Sequence, residues 1–141
     1  MKILLPLDGS ANAQRAVDHI IKYISALKET PQLLLLNVQW NVAAGNVKLF
    51  IDQEAINDYY REQGMAELQA ARAALDAAGL PYQYHISVGT PAEAIAQYAH
   101  EQVADQIVMG RQGQGAVKTL LLGSVVNKIL HLANCPVLLV K

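Results

Sequence analysis

At 141 residues, 52% hydrophobic and 16% charged, the chain has the length of one domain and the apolar content to build its own core. Its 11 basic and 12 acidic residues are interspersed and sum to −1, which excludes the one-sided basic field that nucleic-acid binding needs. A single cysteine, Cys135, excludes an internal disulfide and speaks against a cysteine-held zinc, so a reducing compartment is expected.

The opening Lys2-Ile3-Leu4-Leu5-Pro6 is too short for the apolar stretch of a signal peptide, and no apolar run reaches the ~20 residues of a membrane span. The expectation is a soluble, cytoplasmic protein with no membrane partner. Residues 3–7 form a short apolar run closed by Asp8-Gly9-Ser10, the pattern of a strand buried on both faces. Ala13, Ala16, Val17, Ile20, Ile21, Ile24 and Leu27 then recur at three- and four-residue steps, which predicts a helix with Ser10 as its N-cap. A second buried strand is predicted over residues 33–38, and residues 40–50 show no period and read as a long connection.

Residues 51–79 are alanine-rich and helical, with Met65, Leu68, Ala71, Leu75 and Ala78 on one stripe and Gly79 and Pro81 as stop signals. Tyr82–Val88 is a third strand. Thr90-Pro91-Ala92-Glu93 reads as a capping box with proline in the first helical position, opening a helix that turns Ala94, Ile95, Tyr98 and Ala99 inward. Residues 106–109 form a fourth strand, residues 110–123 a glycine-rich loop, residues 124–133 a helix ended by Pro136, and Val137–Val140 a fifth strand. Strict strand–helix alternation without repeats implies a parallel sheet with helices on both faces, because parallel strands need right-handed crossovers. A ligand in such a fold sits beyond the C-terminal strand ends where strand order reverses. If the first strand is central, that crevice lies between strands one and four, and Asp8 and Gly110 would both face it.

The glycine-rich loop is the informative segment. Gly110 and Gly113 let backbone N–H groups converge on an anion, and Gly123-Ser124 opens a helix whose unpaired N–H groups suit a phosphate, with the Ser124 hydroxyl as a further donor. Two familiar phosphate motifs fail on spacing. Gly110 and Gly115 have the separation of a Walker A loop, but Ala116-Val117 follows instead of Lys-Ser/Thr; Gly113-Gln114-Gly115 has Lys118 where a Rossmann fingerprint needs its third glycine. The pattern present is Gly-x2-Gly-x9-Gly-Ser, at Gly110, Gly113, Gly123 and Ser124.

Together with Pro6-Leu7-Asp8-Gly9-Ser10, Gly89-Thr90-Pro91, Leu122-Gly123-Ser124-Val125 and Cys135-Pro136-Val137-Leu138, this pattern resembles the universal stress protein family, in its single-domain, ATP-binding branch, along nearly the whole chain. The resemblance implies one domain over residues 1–141 with an α/β fold: an open five-stranded parallel sheet in the order 3-2-1-4-5, Rossmann-like and of the adenine nucleotide alpha hydrolase type. It further implies that Pro6, Leu7 and Asp8 line a nucleoside pocket and that Val38 meets adenine through its backbone. Met109 and Gly110 would lie beside the ribose and phosphates, and Gly113, Gly115, Gly123, Ser124 and Val125 around the triphosphate. Magnesium would be held mainly by phosphate oxygens, since no ligand cluster is visible. Many ATP-binding members carry a small hydroxyl residue and then a basic one after the first glycine. Here Arg111-Gln112 stands instead, and Arg111 would supply the cation one position early.

The remaining polar residues read as structural. Asp8 is also a possible helix cap, Ser10 a cap, Lys118 a solvated loop lysine, and Tyr59 and Tyr60 packing residues. His19, His85, His100 and His131 show no metal-ligand spacing, and Cys135 reads as a buried structural thiol. Val137–Val140, four aliphatic residues guarded only by Lys141, would be an edge strand in need of cover, so a homodimer through it is expected, as the resemblance also implies. Three functions stay open: a regulatory stress-response protein that binds ATP, ADP or AMP without catalysis; a slow ATP hydrolase or nucleotidyl transferase; and a dimeric scaffold that binds no nucleotide. Asp8 is the only carboxylate expected near the site, too little for rapid turnover.

Overall fold

The computed structural model describes residues 1–41, 52–114 and 121–141. Among these, β1 (Lys2–Pro6), α1 (Ala11–Ile24), β2 (Gln32–Gln39), α2 (Gln53–Ala77), β3 (Tyr82–Val88), α3 (Pro91–Glu101), β4 (Gln106–Gly110), α4 (Ser124–Leu132) and β5 (Val137–Val140) follow in chain order. The strands form one sheet in the order β3-β2-β1-β4-β5 with every neighbouring pair parallel. The connection over residues 42–51 and the loop residues 115–120, Gly115 and Lys118 among them, lie outside the described residues.

Side chains alternate across a strand, and the apolar runs of β1 and β2 therefore feed two cores. Ile3, Leu5, Leu7, Leu33 and Leu35 pack under Ala13, Ala16, Val17 and Ile20 of α1 and Leu68, Ala71 and Leu75 of α2. Leu4, Leu34 and Leu36 point the other way, against Ala92, Ile95 and Ala99 of α3 and Val126 and Ile129 of α4. Each central strand is thus covered on both faces, as its unbroken hydrophobic run requires.

The helix ends show which local signals operate. Ser10 caps α1, its hydroxyl oxygen accepting from the Ala13 N–H at 3.1 Å. Ser10→Ala is expected to cost about 1 kcal/mol, read as a lowered urea midpoint at unchanged slope. Thr90 stands at the N-cap of α3 with Pro91 first in the helix, but its hydroxyl makes no capping bond. The expected capping box therefore does not form, and the proline's fixed φ sets that start.

Helix α2 is shorter than the predicted 51–79. It ends on Ala77 because the Gly79 N–H bonds the Asp76 carbonyl and the Leu80 N–H the Leu75 carbonyl, both at 3.0 Å, which closes the last turn. Its buried stripe is Ile56, Tyr60, Gly64, Leu68, Ala71 and Leu75. Met65 is only half-buried and Ala78 exposed, because Ala78 is already the C-cap. Tyr60 is buried as expected, whereas its neighbour Tyr59 is exposed.

Candidate functional site

The order β2-β1-β4 makes the C-terminal ends of β1 and β4 the switch point. There the sheet parts. Pairing of β1 with β2 runs from Lys2 to Pro6, but pairing of β1 with β4 covers only Ile3↔Gln106 and Leu4↔Ile107. The cause is in the sequence. The Leu7 N–H bonds the Leu36 carbonyl at 2.8 Å, so odd residues of β1 face β2 and even residues face β4. Pro6 is the next even residue and has no N–H to offer.

A cleft of about 630 Å³ occupies this opening. Pro6, Leu7 and Asp8 line it from β1, Val38 from β2, and Met109 and Gly110 from β4. Gly113, Gly123, Ser124 and Val125 line it from the loop and the start of α4. The described candidates are therefore brought to one place, except Arg111. Its backbone N–H bonds the Val140 carbonyl at 3.1 Å and its carbonyl accepts from Gly123 at 3.0 Å, so it continues the sheet and is not among the described residues lining the cleft.

Gly123 is the N-cap of α4, in extended conformation and without a side chain to cap with. Helix geometry leaves the N–H groups of the first turn without intrahelical acceptors, and here that turn, Ser124, Val125 and Val126, forms part of the cleft wall. The positive end of the helix dipole lies in the same place.

Asp8 does two structural jobs with its carboxylate. One oxygen accepts from the Ser10 N–H at 3.0 Å and the other from the Gln114 N–H at 2.9 Å, while the Gln114 side-chain amide donates to the Asp8 carbonyl. The loop is thereby tied across the cleft to the end of β1. Gln112 ties it from the other side. This glutamine is buried and donates to the Leu121 carbonyl at 2.7 Å, joining the loop's two ends. Its spacing carries no signal that would single it out.

Sequence reasoning also missed Glu67. Asn37, fully buried, donates to the Leu7 carbonyl at 2.8 Å and to Glu67 Oε2 at 2.6 Å. Gln39 donates to Asn37 Oδ1 at 2.8 Å and to the same Glu67 oxygen at 3.1 Å. Glu67 lines the cleft from α2, so Asp8 is not the only carboxylate there. The available signal was Asn37 itself, a polar residue inside a strand buried on both faces, which must have a polar partner. Trp40 also lines the cleft although 62% exposed.

Other titratable residues lie elsewhere. No three His, Cys, Asp or Glu among the described residues group to hold a metal. His85 stacks on Tyr98 with centroids 5.2 Å apart, and burial pushes the Tyr98 phenol up. Burial likewise pushes the half-buried Cys135 thiol up, although a backbone hydrogen bond involving Ile107 pulls the other way. The net effect is a smaller thiolate fraction at neutral pH, so iodoacetamide is expected to alkylate Cys135 several-fold more slowly than free cysteine at pH 7.5, followed by mass spectrometry.

The sequence model of the universal stress protein family matches residues 1–141, the entire chain. The chain belongs to the universal stress protein family. A universal stress protein of Thermus aquaticus is 38% identical over 140 residues, covering 99% of this chain and 97% of its own. The solved structure of MJ0577, a universal stress protein of Methanocaldococcus jannaschii, superposes with a TM-score of 0.82 at 29% identity, covering 99% of this chain and 94% of that one. The universal stress protein of Archaeoglobus fulgidus, solved in complex with dAMP, shares the fold at 22% identity and a TM-score of 0.68, covering 100% of this chain and 98% of that one. No helix among the described residues of this universal stress protein is long and apolar enough to cross a membrane.

Proposed function

We propose that this protein is a cytoplasmic universal stress protein, one domain over residues 1–141, that binds an adenine nucleotide, ATP first among them, and acts by binding. One observation carries the reading. A cleft of about 630 Å³ at the β1–β4 opening combines apolar walls with the first-turn amides of a helix, which have no intrahelical acceptors. That volume lies in the range of small-molecule sites. Leu36, Val38 and Met109 give a surface for a flat, weakly polar base, and the start of α4 suits an anion. The dAMP complex of the Archaeoglobus relative supports the same ligand class.

Purine and ribose lie against Pro6, Leu7, Asp8 and Val38, and the phosphates against Gly110, Gly113, Gly123, Ser124 and Val125, with Gly115 completing the loop. The loop is shaped for close approach at Gly113, where a Cβ would come within 2.6 Å of the Asp8 carboxylate. Magnesium fits as a companion of the phosphates, which would supply most of its oxygen ligands. Arg111 flanks Gly110 but is not among the described residues that line the cleft. Occupancy would hold the loop in one arrangement and so change which partners the protein meets.

Two measurements test the reading. Mass analysis of freshly purified, denatured protein is expected to release an adenine nucleotide, and calorimetry with Mg-ATP to give micromolar affinity, roughly 8 kcal/mol. Single-turnover assay with labelled ATP is expected to show no phosphate release near ~1 per second, the scale of ordinary enzymes; release at that rate would make the protein a hydrolase instead.

The homodimer rests on the sheet edge. Strand β5 lies at the edge of the sheet with Leu138 exposed, and Leu130 and Leu132 near the end of α4 are exposed as well, so the open edge carries apolar residues in need of cover. Sedimentation at micromolar concentration is expected to give a dimer, and a stable monomer would remove that part of the proposal.

A further inference from the structure

The nucleotide reading leaves open which nucleosides the cleft prefers, and the carboxylate from α2 bears on that. We propose that Glu67 is a specificity-determining residue that accepts a hydrogen bond from a donor on the nucleoside, either the amine of the base or a ribose hydroxyl. This inference rests on the nucleotide-binding reading above.

The two carboxylates of the cleft differ in how their protein hydrogen bonds are distributed. Each Asp8 oxygen accepts one backbone N–H, from Ser10 and from Gln114, so both oxygens are tied to the loop and the helix start. In Glu67 both protein hydrogen bonds converge on Oε2, from Asn37 and Gln39, and no described residue donates to Oε1. A carboxylate has about four lone-pair sites, so the second oxygen retains its acceptor capacity.

The side chain is also held in place. Asn37 is fully buried and anchored on the Leu7 carbonyl, which fixes the position of Oε2. Gly9 closes on the stem: a Cβ there would lie 3.3 Å from the Glu67 Cα and Cβ. Glu67 lines the cleft together with the apolar Leu7, Leu36 and Val38, and a bound nucleoside would expel water from it, where a hydrogen bond is stronger than in bulk solvent. Being acceptor-only, the carboxylate favours ligands that present N–H or O–H at that point and disfavours those that do not.

The test titrates wild type and Glu67→Gln with ATP, purine riboside triphosphate (which lacks the amine), 2′-deoxy-ATP and 3′-deoxy-ATP. Glutamine keeps an oxygen for Asn37 and Gln39 but replaces the second oxygen with an amide donor. Wild type is expected to bind ATP roughly tenfold or more tightly than one of the analogues. Glu67→Gln is expected to lose a similar factor for ATP and nothing for that same analogue, which identifies the donor as the amine or a particular hydroxyl. Equal affinity of wild type for all four ligands overturns the inference without needing a folded variant. So does a Glu67→Gln variant that weakens all four alike, which would mark a purely structural role, or none of them. Absence of any nucleotide binding by wild type overturns both readings, whereas ATP binding indifferent to Glu67 overturns this one alone.

Discussion

Gly113→Val is expected to weaken Mg-ATP binding at least about a hundredfold while moving the melting temperature by no more than about 3 °C. The asymmetry follows from where the residue stands. Gly113 is exposed and outside both cores, so valine removes no packing there. Its Cβ, however, would lie 2.6 Å from Asp8 Oδ2, the oxygen that receives the Gln114 N–H. Either the loop lifts off Asp8 or the Asp8 carboxylate swings aside. The first moves the proposed phosphate ligands, the second disturbs the proposed nucleoside end, and both act on a wall of the same cleft. Calorimetric titration together with a melting curve decides the matter. Micromolar affinity in a folded Gly113→Val protein would show that this loop does not hold the phosphates, and the nucleotide proposal would lose its anion site.

The fold was readable because its signals are redundant. Residues 33–36 are four consecutive leucines in a run too short for a helix, between Pro31 and the polar Asn37, which marks a strand covered on both faces; α1 repeats its apolar residues without a break from Ala13 to Ile24. The order of the strands was less accessible to pattern, since hydrophobic periods do not say which strands are neighbours, and it came from the resemblance. At the site, chain-local features were legible: the glycine spacing, the Gly123-Ser124 helix start, the Pro6-Leu7-Asp8 strand end.

Features assembled across the chain were not. Glu67 and Asn37 are 30 positions apart and meet only because α2 crosses β2, and Gln112 reaches Leu121 across a loop. Arg111 is a different case. Its charge and position next to Gly110 suggest an anion ligand, while the structure joins its backbone to Val140 and Gly123 and does not place it among the described residues lining the cleft. Thr90 likewise has the right type and spacing for a cap, but its hydroxyl makes no capping bond.

Gly110→Ala is the second large effect, and it separates two reasons for a glycine that look alike in sequence. The glycine spacing alone makes Gly110 a residue that lets amides turn toward an anion. A Cβ there would instead lie 2.5 Å from the Asn12 carbonyl oxygen and 2.6 Å from its carbon, backbone atoms in the first turn of α1. Neither side can yield cheaply. The start of α1 is pinned by the Ser10 cap and by Ala13, Ala16 and Val17 in the core, and the end of β4 by its register with Val140. A flexible side chain could swing away from a methyl group; a carbonyl in a capped helix cannot. The expected cost is about 3 kcal/mol, at the upper end for overpacking, measured as a drop in the urea midpoint. Gly123→Ala is the control. Its Cβ would be 3.3 Å from the Gln112 Cα, a contact that a shift of a few tenths of an ångström relieves, so its cost should stay near 1 kcal/mol or below. Should Gly110→Ala keep the wild-type midpoint, α1 must have slack against β4. The floor of the cleft would then be a movable joint, and a glycine at this position would have to be explained by the ligand after all.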